Sequence, residues 1–219
     1  MLVMRASRAL LGAVACWCQL VAAAPPTAAE IAQICAEAED RSHCGRLIEE
    51  VQLKRLPNLA RRDGNALMVS LYPSGAATFT DSDDPVNGRS YSLWDYIDRI
   101  NAVVLYTSAG ESSGYTLLQR TTNRRFDFPA EPQLSPDRQR IVTADVCSSH
   151  CANEIAVWTV SNRGVFKELV WTPDQAWTDA SAKWKDADTL TIDYSTAGSS
   201  SGVLERKLGD VSWKRPASP

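Results

Sequence analysis

The chain has 219 residues, which allows one ordinary domain or one domain with a small appendage. Its hydrophobic fraction of 44% and charged fraction of 22% are close to globular averages, so they exclude wholesale disorder, a collagen and a coiled coil. The formal net charge of -3 argues against a nucleic-acid partner, because such binding draws much of its affinity from neutralising phosphates.

The first 23 residues have the pattern of a secretory signal peptide. Arg5 and Arg8 precede an apolar run from 9 to 21, and the small residues 22–24 follow. A positive segment, an apolar core shorter than the roughly 20 residues of a membrane span and a small-residue exit are typical of exported proteins. We expect cleavage near Ala23, a periplasmic or secreted product, and no transmembrane segment in the mature chain.

The six cysteines divide between this segment and the rest of the chain. Cys16 and Cys18 fall in the signal segment, and since residues 13–16 resemble a lipoprotein box, lipid attachment at Cys16 is an alternative. Four cysteines remain, an even number in a protein expected in an oxidising compartment, which favours two disulfides. Closeness in sequence predicts two local pairs, Cys35–Cys44 and Cys147–Cys151.

Residues 24–57 are predicted to form a hairpin of two helices. Thr27 and Glu30 have the spacing of a capping box. Apolar residues then recur at helical spacing in two sets, and the second set ends just before Pro57. Both Cys35 and Cys44 fall on these apolar stripes, so we expect their disulfide to link the two helices.

Residues 58–219 are predicted to form one antiparallel β domain. After Asn58 the apolar residues alternate with polar ones, a period of two that is typical of strands. Strand-like runs recur at nearly regular spacing, separated by turn residues, with no helical pattern between them. The sequence therefore predicts a mainly β fold, an antiparallel meander that follows the short helical segment.

Two stretches of this domain resemble the blades of WD-repeat-like and Tol-type β-propellers. Residues 134–142 contain Leu-Ser-Pro-Asp followed by Ile-Val, and Trp-Lys-Asp at 184–186 holds the equivalent place in a second unit. The resemblance implies blade-like meanders and a binding platform. A closed propeller needs at least four blades of about 40 residues, so the expected β domain is either propeller-like or open.

Two clusters could in principle bind metal. The segment 147–151, Cys-Ser-Ser-His-Cys, places His150 between candidate thiol ligands, although zinc sites need four donors. The loop that holds Asp81, Asp83 and Asp84 offers the oxygen ligands that calcium prefers, but it departs from the EF-hand pattern. We expect a disulfide loop and a solvated loop, with no cofactor, and keep metal or thiol-redox handling as an alternative.

Aromatic residues near the acidic loop suggest a binding surface. Tyr91, Trp94, Asp95 and Tyr96 lie close together in sequence, and Trp177 lies in a similarly irregular stretch. Exposed rings beside a carboxylate are typical of sites that bind a glycan or a peptide. The alternative is that Trp94 closes one edge of the core.

No pattern of a nucleophilic catalytic site occurs in the sequence. The chain lacks Gly-x-Ser-x-Gly and has only two histidines. The sequence therefore favours an exported, non-enzymatic binding or envelope-accessory protein that recognises a protein or a glycan. A secreted hydrolase with a site not recognisable from sequence is the alternative, beside metal or thiol-redox handling.

Overall fold

The computed structural model describes residues 26–84, 88–110, 112–161, 164–198 and 200–216. Within them, two α-helices precede fourteen strands, and the strands form four antiparallel sheets. The prediction of a mainly β chain with a short helical start is therefore confirmed. The predicted signal segment and Cys16 lie outside the described residues.

Two helices begin the described chain. The first, α1 (Ala28–Ile34), begins at the capping box of Thr27 and Glu30. The second, α2 (Arg41–Arg55), begins at Asp40, whose carboxylate accepts the backbone N–H of His43. Cys35, the C-cap of α1, is disulfide-bonded to Cys44 of α2, as the spacing predicts. Because α1 has only seven residues, the segment is a long helix with a short one tethered to it.

Each sheet is a meander in which consecutive strands pair. Sheet 1 contains β1 (Ala60–Asp63), β2 (Ala66–Ser70) and β3 (Ala76–Thr80). Sheet 2 contains β4 (Ser90–Ile97), β5 (Ala102–Ala109), β6 (Ser112–Gln119) and β7 (Arg124–Phe128), with a 3-10 turn at Asp98–Ile100 between β4 and β5.

The second half of the chain repeats the arrangement. Sheet 3 contains β8 (Gln133–Leu134), β9 (Arg140–Asp145), β10 (Glu154–Ser161) and β11 (Gly164–Trp171). Sheet 4 contains β12 (Trp177–Trp184), β13 (Thr189–Thr196) and β14 (Ser201–Lys207). Within the described ranges, the sheets do not close into a barrel.

Apolar side chains between the sheets form the core. The alternation in β2 is typical, since Leu67 and Val69 are fully buried and their neighbours are partly exposed. One cluster joins sheets 1 and 2, a second joins sheets 2 and 3, and a third joins sheets 3 and 4. Sheets that are neighbours in the chain are therefore packed together, and Ile48 of α2 adds a fourth cluster against sheet 2.

The buried face of α2 is more polar than its sequence indicates. Gly45, Ile48, Glu49 and Gln52 are buried, whereas an amphipathic helix usually buries an apolar stripe. The helix lies beside β4, one of the two edge strands of sheet 2. Edge strands present unpaired N–H and C=O groups, and the polar side chains of α2 bind these groups.

Four side chains form hydrogen bonds with the backbone groups at this edge of β4. The backbone N–H of Leu93 donates to Glu49 at 2.9 Å, and Gln52 donates to the carbonyl of Trp94 at 2.7 Å. The carbonyl of Tyr91 accepts from Arg46 and Arg62 at 2.8 and 2.6 Å. Because Glu49 and Gln52 are buried, their contacts satisfy backbone groups that would be costly to bury unpaired.

Candidate functional site

A polar groove with a volume of about 1500 Å³ lies on the described part of the chain. It lies where the beginning of α2 meets three connections, namely the β3–β4 loop, the β5–β6 turn and the β9–β10 loop. The structure therefore brings the acidic loop and the Cys147–Cys151 segment, which are far apart in sequence, to one place.

The acidic loop contributes two kinds of carboxylate to the groove. Asp81 is held by the fold, because it accepts the backbone N–H of Tyr91 at 2.8 Å and forms ion pairs with Arg46 and Arg62. Asp83 and Asp84 are exposed along the groove. Asp81 is thus held in place by contacts within the fold, and the exposed carboxylate of Asp83 can face a ligand.

Gly88 lies against the backbone at the start of this loop. A Cβ at that position would lie 2.5 Å from the carbonyl oxygen of Asp84, which only glycine avoids. The backbone at Gly88 consequently lies close to that of Asp84 beside the groove.

The opposite wall is the disulfide loop. Cys147 and Cys151 are bonded to each other, as predicted, so neither thiol is available as a metal ligand. His150 has a positive φ of 71° and is exposed with its two preceding serines. The carboxylate of Asp145 accepts the backbone N–H of Ala152 at 3.1 Å, which anchors the end of the loop.

The candidate metal ligands do not form a metal centre. In the ranges that the structure covers, no group of three or more His, Cys, Asp and Glu side chains is placed to hold an ion. His150 and the aspartates Asp81, Asp83 and Asp84 line the same groove without converging on one point.

The aromatic residues that the sequence suggested as a surface are mostly buried. Trp94 is 6% exposed and Trp177 is 5% exposed, so the expectation that these two rings are exposed is wrong. Trp94 contacts Tyr106 and Tyr115, with ring centroids 5.4 Å apart in both cases. Trp177 stacks on Tyr194 at 4.3 Å. Neither ring can stack on a ligand in this conformation.

A β-bulge explains the burial of Trp94. The register of β4 against β5 shifts between Leu93 and Asp95, so the strict alternation of the strand fails there. Leu93 packs between sheets 1 and 2, and Trp94 packs beneath α2. The alternation rule alone would have placed one of these neighbours toward solvent.

Other members of the suggested surface also contact neighbouring side chains of the protein. Tyr91 packs on Phe79 with centroids 5.3 Å apart. The hydroxyl of Tyr96 donates to Asn101 at 3.1 Å, and its ring lies under Arg120. The structure therefore does not gather the five suggested residues into one exposed patch.

Asp95 and Glu131 form a separate acidic pair. Burial raises the pKa of Asp95 to about 6, and the negative charge of Glu131 adds to the effect. Burial also raises the pKa of Glu131, although the indole N–H of Trp94 donates to its carboxylate at 3.1 Å. Neither acid lines the groove.

The remaining lining of the groove is rich in hydroxyls and contains cations. Eight serines line it, together with Arg41 and Arg89. The hydroxyls of Ser42 and Ser90 are 2.8 Å apart, and Arg41 donates to Ser113 at 3.3 Å. The groove thus offers donors, acceptors and charges of both signs. Sequence reasoning missed these serines and arginines, because they are distributed over the start of α2 and several separate connections.

The groove shows no assembled nucleophile. His150 and the serines share it, but no hydrogen bond joins this imidazole to a hydroxyl among the described residues. A serine nucleophile needs such a base within hydrogen-bond reach.

Comparison of the chain with models of protein families, with curated proteins and with solved structures finds no match. Neither described helix has the length and apolar composition that crossing a membrane requires. The two disulfides indicate an oxidising compartment.

Proposed function

We propose that this chain is an exported, non-enzymatic binding protein whose groove holds a peptide segment of a partner protein in the cell envelope. The observation that carries the proposal is the groove itself. Three connections and the start of α2 converge on it, although they are separate in sequence. Loops on a rigid scaffold are where β proteins commonly place their binding residues.

The chemistry of the lining favours a peptide over a glycan. Sugar sites draw on the stacking area of aromatic rings, and no aromatic residue lines the described groove. Serine hydroxyls can pair with the N–H and C=O groups of an extended peptide, and carboxylates and guanidiniums can pair with its charged side chains. A volume of about 1500 Å³ also exceeds the 300–1,000 Å³ typical of small-molecule pockets.

Both walls of the groove are held in place. The start of α2 is fixed through the contacts of Arg46 with Asp81 and with the carbonyl of Tyr91, and the β9–β10 loop is closed by Cys147–Cys151. A surface that is already ordered loses less conformational entropy on binding. This rigidity supports recognition by the free protein without a large rearrangement.

The location forms part of the proposal. We infer that residues 1–23 direct export and that the protein works in the periplasm or outside the cell, with a lipid at Cys16 as the alternative form. We also interpret the four meanders as propeller-like blades preceded by a disulfide-linked pair of helices. A platform of that kind supports a binding role.

Site-specific crosslinking tests the proposal. A photoreactive amino acid is introduced at Ser112 or Ser149 in the groove, and at Ser181 as an exposed position outside its lining. After expression in the native envelope, we expect groove positions to crosslink to a defined peptide segment of a protein. Equal crosslinking from Ser181, or capture of a glycan only, would contradict the proposal.

Charge reversal gives an independent readout. Asp83→Lys and Arg89→Glu should each reduce crosslinking from Ser149, because charges of both signs line the groove. Asp174→Lys and Lys54→Glu, at exposed positions outside the groove lining, are the matched controls and should leave it unchanged.

A further inference from the structure

A second, smaller cavity lies at the other end of the strands. It has a volume of about 340 Å³ and is lined by the turn residue Arg99, residues 133–136, and Lys183 and Trp184 at the end of β12. The groove meets the beginning of β4, whereas Arg99 follows its end. Eight residues of strand span about 25 Å, so the two cavities are separate.

One wall of this cavity is apolar and fixed. Trp184 is partly buried, and its indole N–H donates to the carbonyl of Gln133 at 2.9 Å. Leu134 and Pro136 line the same wall. The hydrogen bond fixes the indole ring, so the wall presents a defined apolar surface.

Two cations stand beside this wall without a carboxylate partner. Arg99 donates one hydrogen bond to the carbonyl of Pro136 at 3.2 Å, and the protein groups that the structure describes supply no further acceptor for its five N–H donors. Among the described residues, no carboxylate forms an ion pair with Arg99 or with Lys183. The nearby Lys185, by contrast, pairs with Glu205 at 2.6 Å.

We propose that this cavity binds a small organic carboxylate whose body is apolar and planar. The volume lies in the 300–1,000 Å³ range of small-molecule pockets, which combine apolar walls with a few directional polar groups. A carboxylate would accept the free donors of Arg99 and Lys183, and the apolar body would cover Trp184. A bare anion would contact only the two cations, and an uncharged ring would contact only the apolar wall. Each should therefore bind more weakly than a ligand that has both groups.

Phenylacetate is a suitable probe, and the indole N–H signal of Trp184 in a nitrogen-15 NMR spectrum is the readout. Trp184→Phe assigns the signal. Three comparison compounds separate the contributions: phenylacetamide lacks the charge, acetate lacks the ring, and inorganic phosphate supplies a bare anion. We expect saturable shifts with phenylacetate, and affinities about tenfold or more weaker for the other three.

Substitutions then test the two cations. Lys183→Gln and Arg99→Gln should each weaken phenylacetate binding about fivefold or more, whereas the matched variant Lys185→Gln should not change it. No saturation up to about 10 mM phenylacetate would overturn the proposal. Equal binding of phenylacetamide or of phosphate would also overturn it. Neither cation lines the groove, so these results are independent of the proposed peptide binding.

Discussion

The carboxylate of Glu49 accepts the backbone N–H of Leu93 and also forms an ion pair with Arg62. Glu49 belongs to α2, Leu93 to the edge of sheet 2, and Arg62 to sheet 1. Its side chain is only 3% exposed. One buried carboxylate therefore joins a helix and two sheets, in the place that a further strand would occupy.

Removing this carboxylate should destabilise the protein strongly. In Glu49→Ala, the guanidinium of Arg62 and the N–H of Leu93 lose their shared acceptor, and breaking a buried ion pair typically costs about 3–5 kcal/mol. Urea denaturation measures the change. Glu50→Ala, at the exposed neighbouring position, is the control, and a similar effect for both variants would contradict the assignment.

Gly45 should not tolerate alanine, although alanine normally favours a helix by about 1 kcal/mol. A Cβ at this position would lie 2.8 Å from the ring of Tyr106, which Trp94 and Tyr115 contact from other sides. We expect Gly45→Ala to lower the unfolding free energy by about 1–3 kcal/mol. Gly209→Ala, where nothing lies within 4 Å, should have little effect in the same thermal melts.

The raised pKa of Asp95, about 6, predicts a specific pH dependence. The folded protein holds this proton more tightly than the unfolded chain, whose aspartates titrate near 3.9. Stability is therefore lost as pH rises from about 4 to 7, by about 2–3 kcal/mol for this group.

Asp95→Asn should remove this loss of stability at higher pH. We expect the variant to be more stable than the wild type at pH 8 and close to it at pH 4, as measured by urea denaturation at both values. Asp63→Asn, at an exposed position, is the control. Parallel stability curves for the wild type and Asp95→Asn would show that the carboxyl titrates normally.

Trp94 should behave as a core residue. Because its ring lies among Ile48, Val104 and Tyr106, Trp94→Ala is expected to cost about 3–5 kcal/mol. Tyr72→Ala, at a ring that is 61% exposed, should cost much less in the same experiment. If Trp94→Ala left the free energy of unfolding nearly unchanged, the sequence-based hypothesis of an aromatic contact surface would be restored.

Local signals in the sequence were sufficient for most of the secondary structure and both disulfides. Alternation located the strands, and the spacing between cysteines predicted their pairing, because these features depend on near neighbours. The burial of Trp94 depends on the bulge before Asp95, which alternation does not show. The burial of Glu49 and Gln52 depends on the placement of α2 beside β4, which helical spacing does not show.

The groove could not be predicted from the sequence, for a related reason. Its serines and arginines come from separate connections and from the start of α2, and no single stretch of sequence contains a motif for it. The acidic loop and the disulfide loop were each recognised as unusual. Their convergence depends on how sheets 1, 2 and 3 pack.

The arrangement of α2 beside β4 also matters for the order of events in biosynthesis. A chain that is synthesised from its N-terminus presents α2 before β4, and pairing within each described sheet involves only consecutive strands. Such local contacts form quickly, whereas open edges in partly folded chains promote aggregation. The side chains that cover the edge of β4 are thus already present when that strand emerges, so the nascent protein is protected from pairing with other chains there.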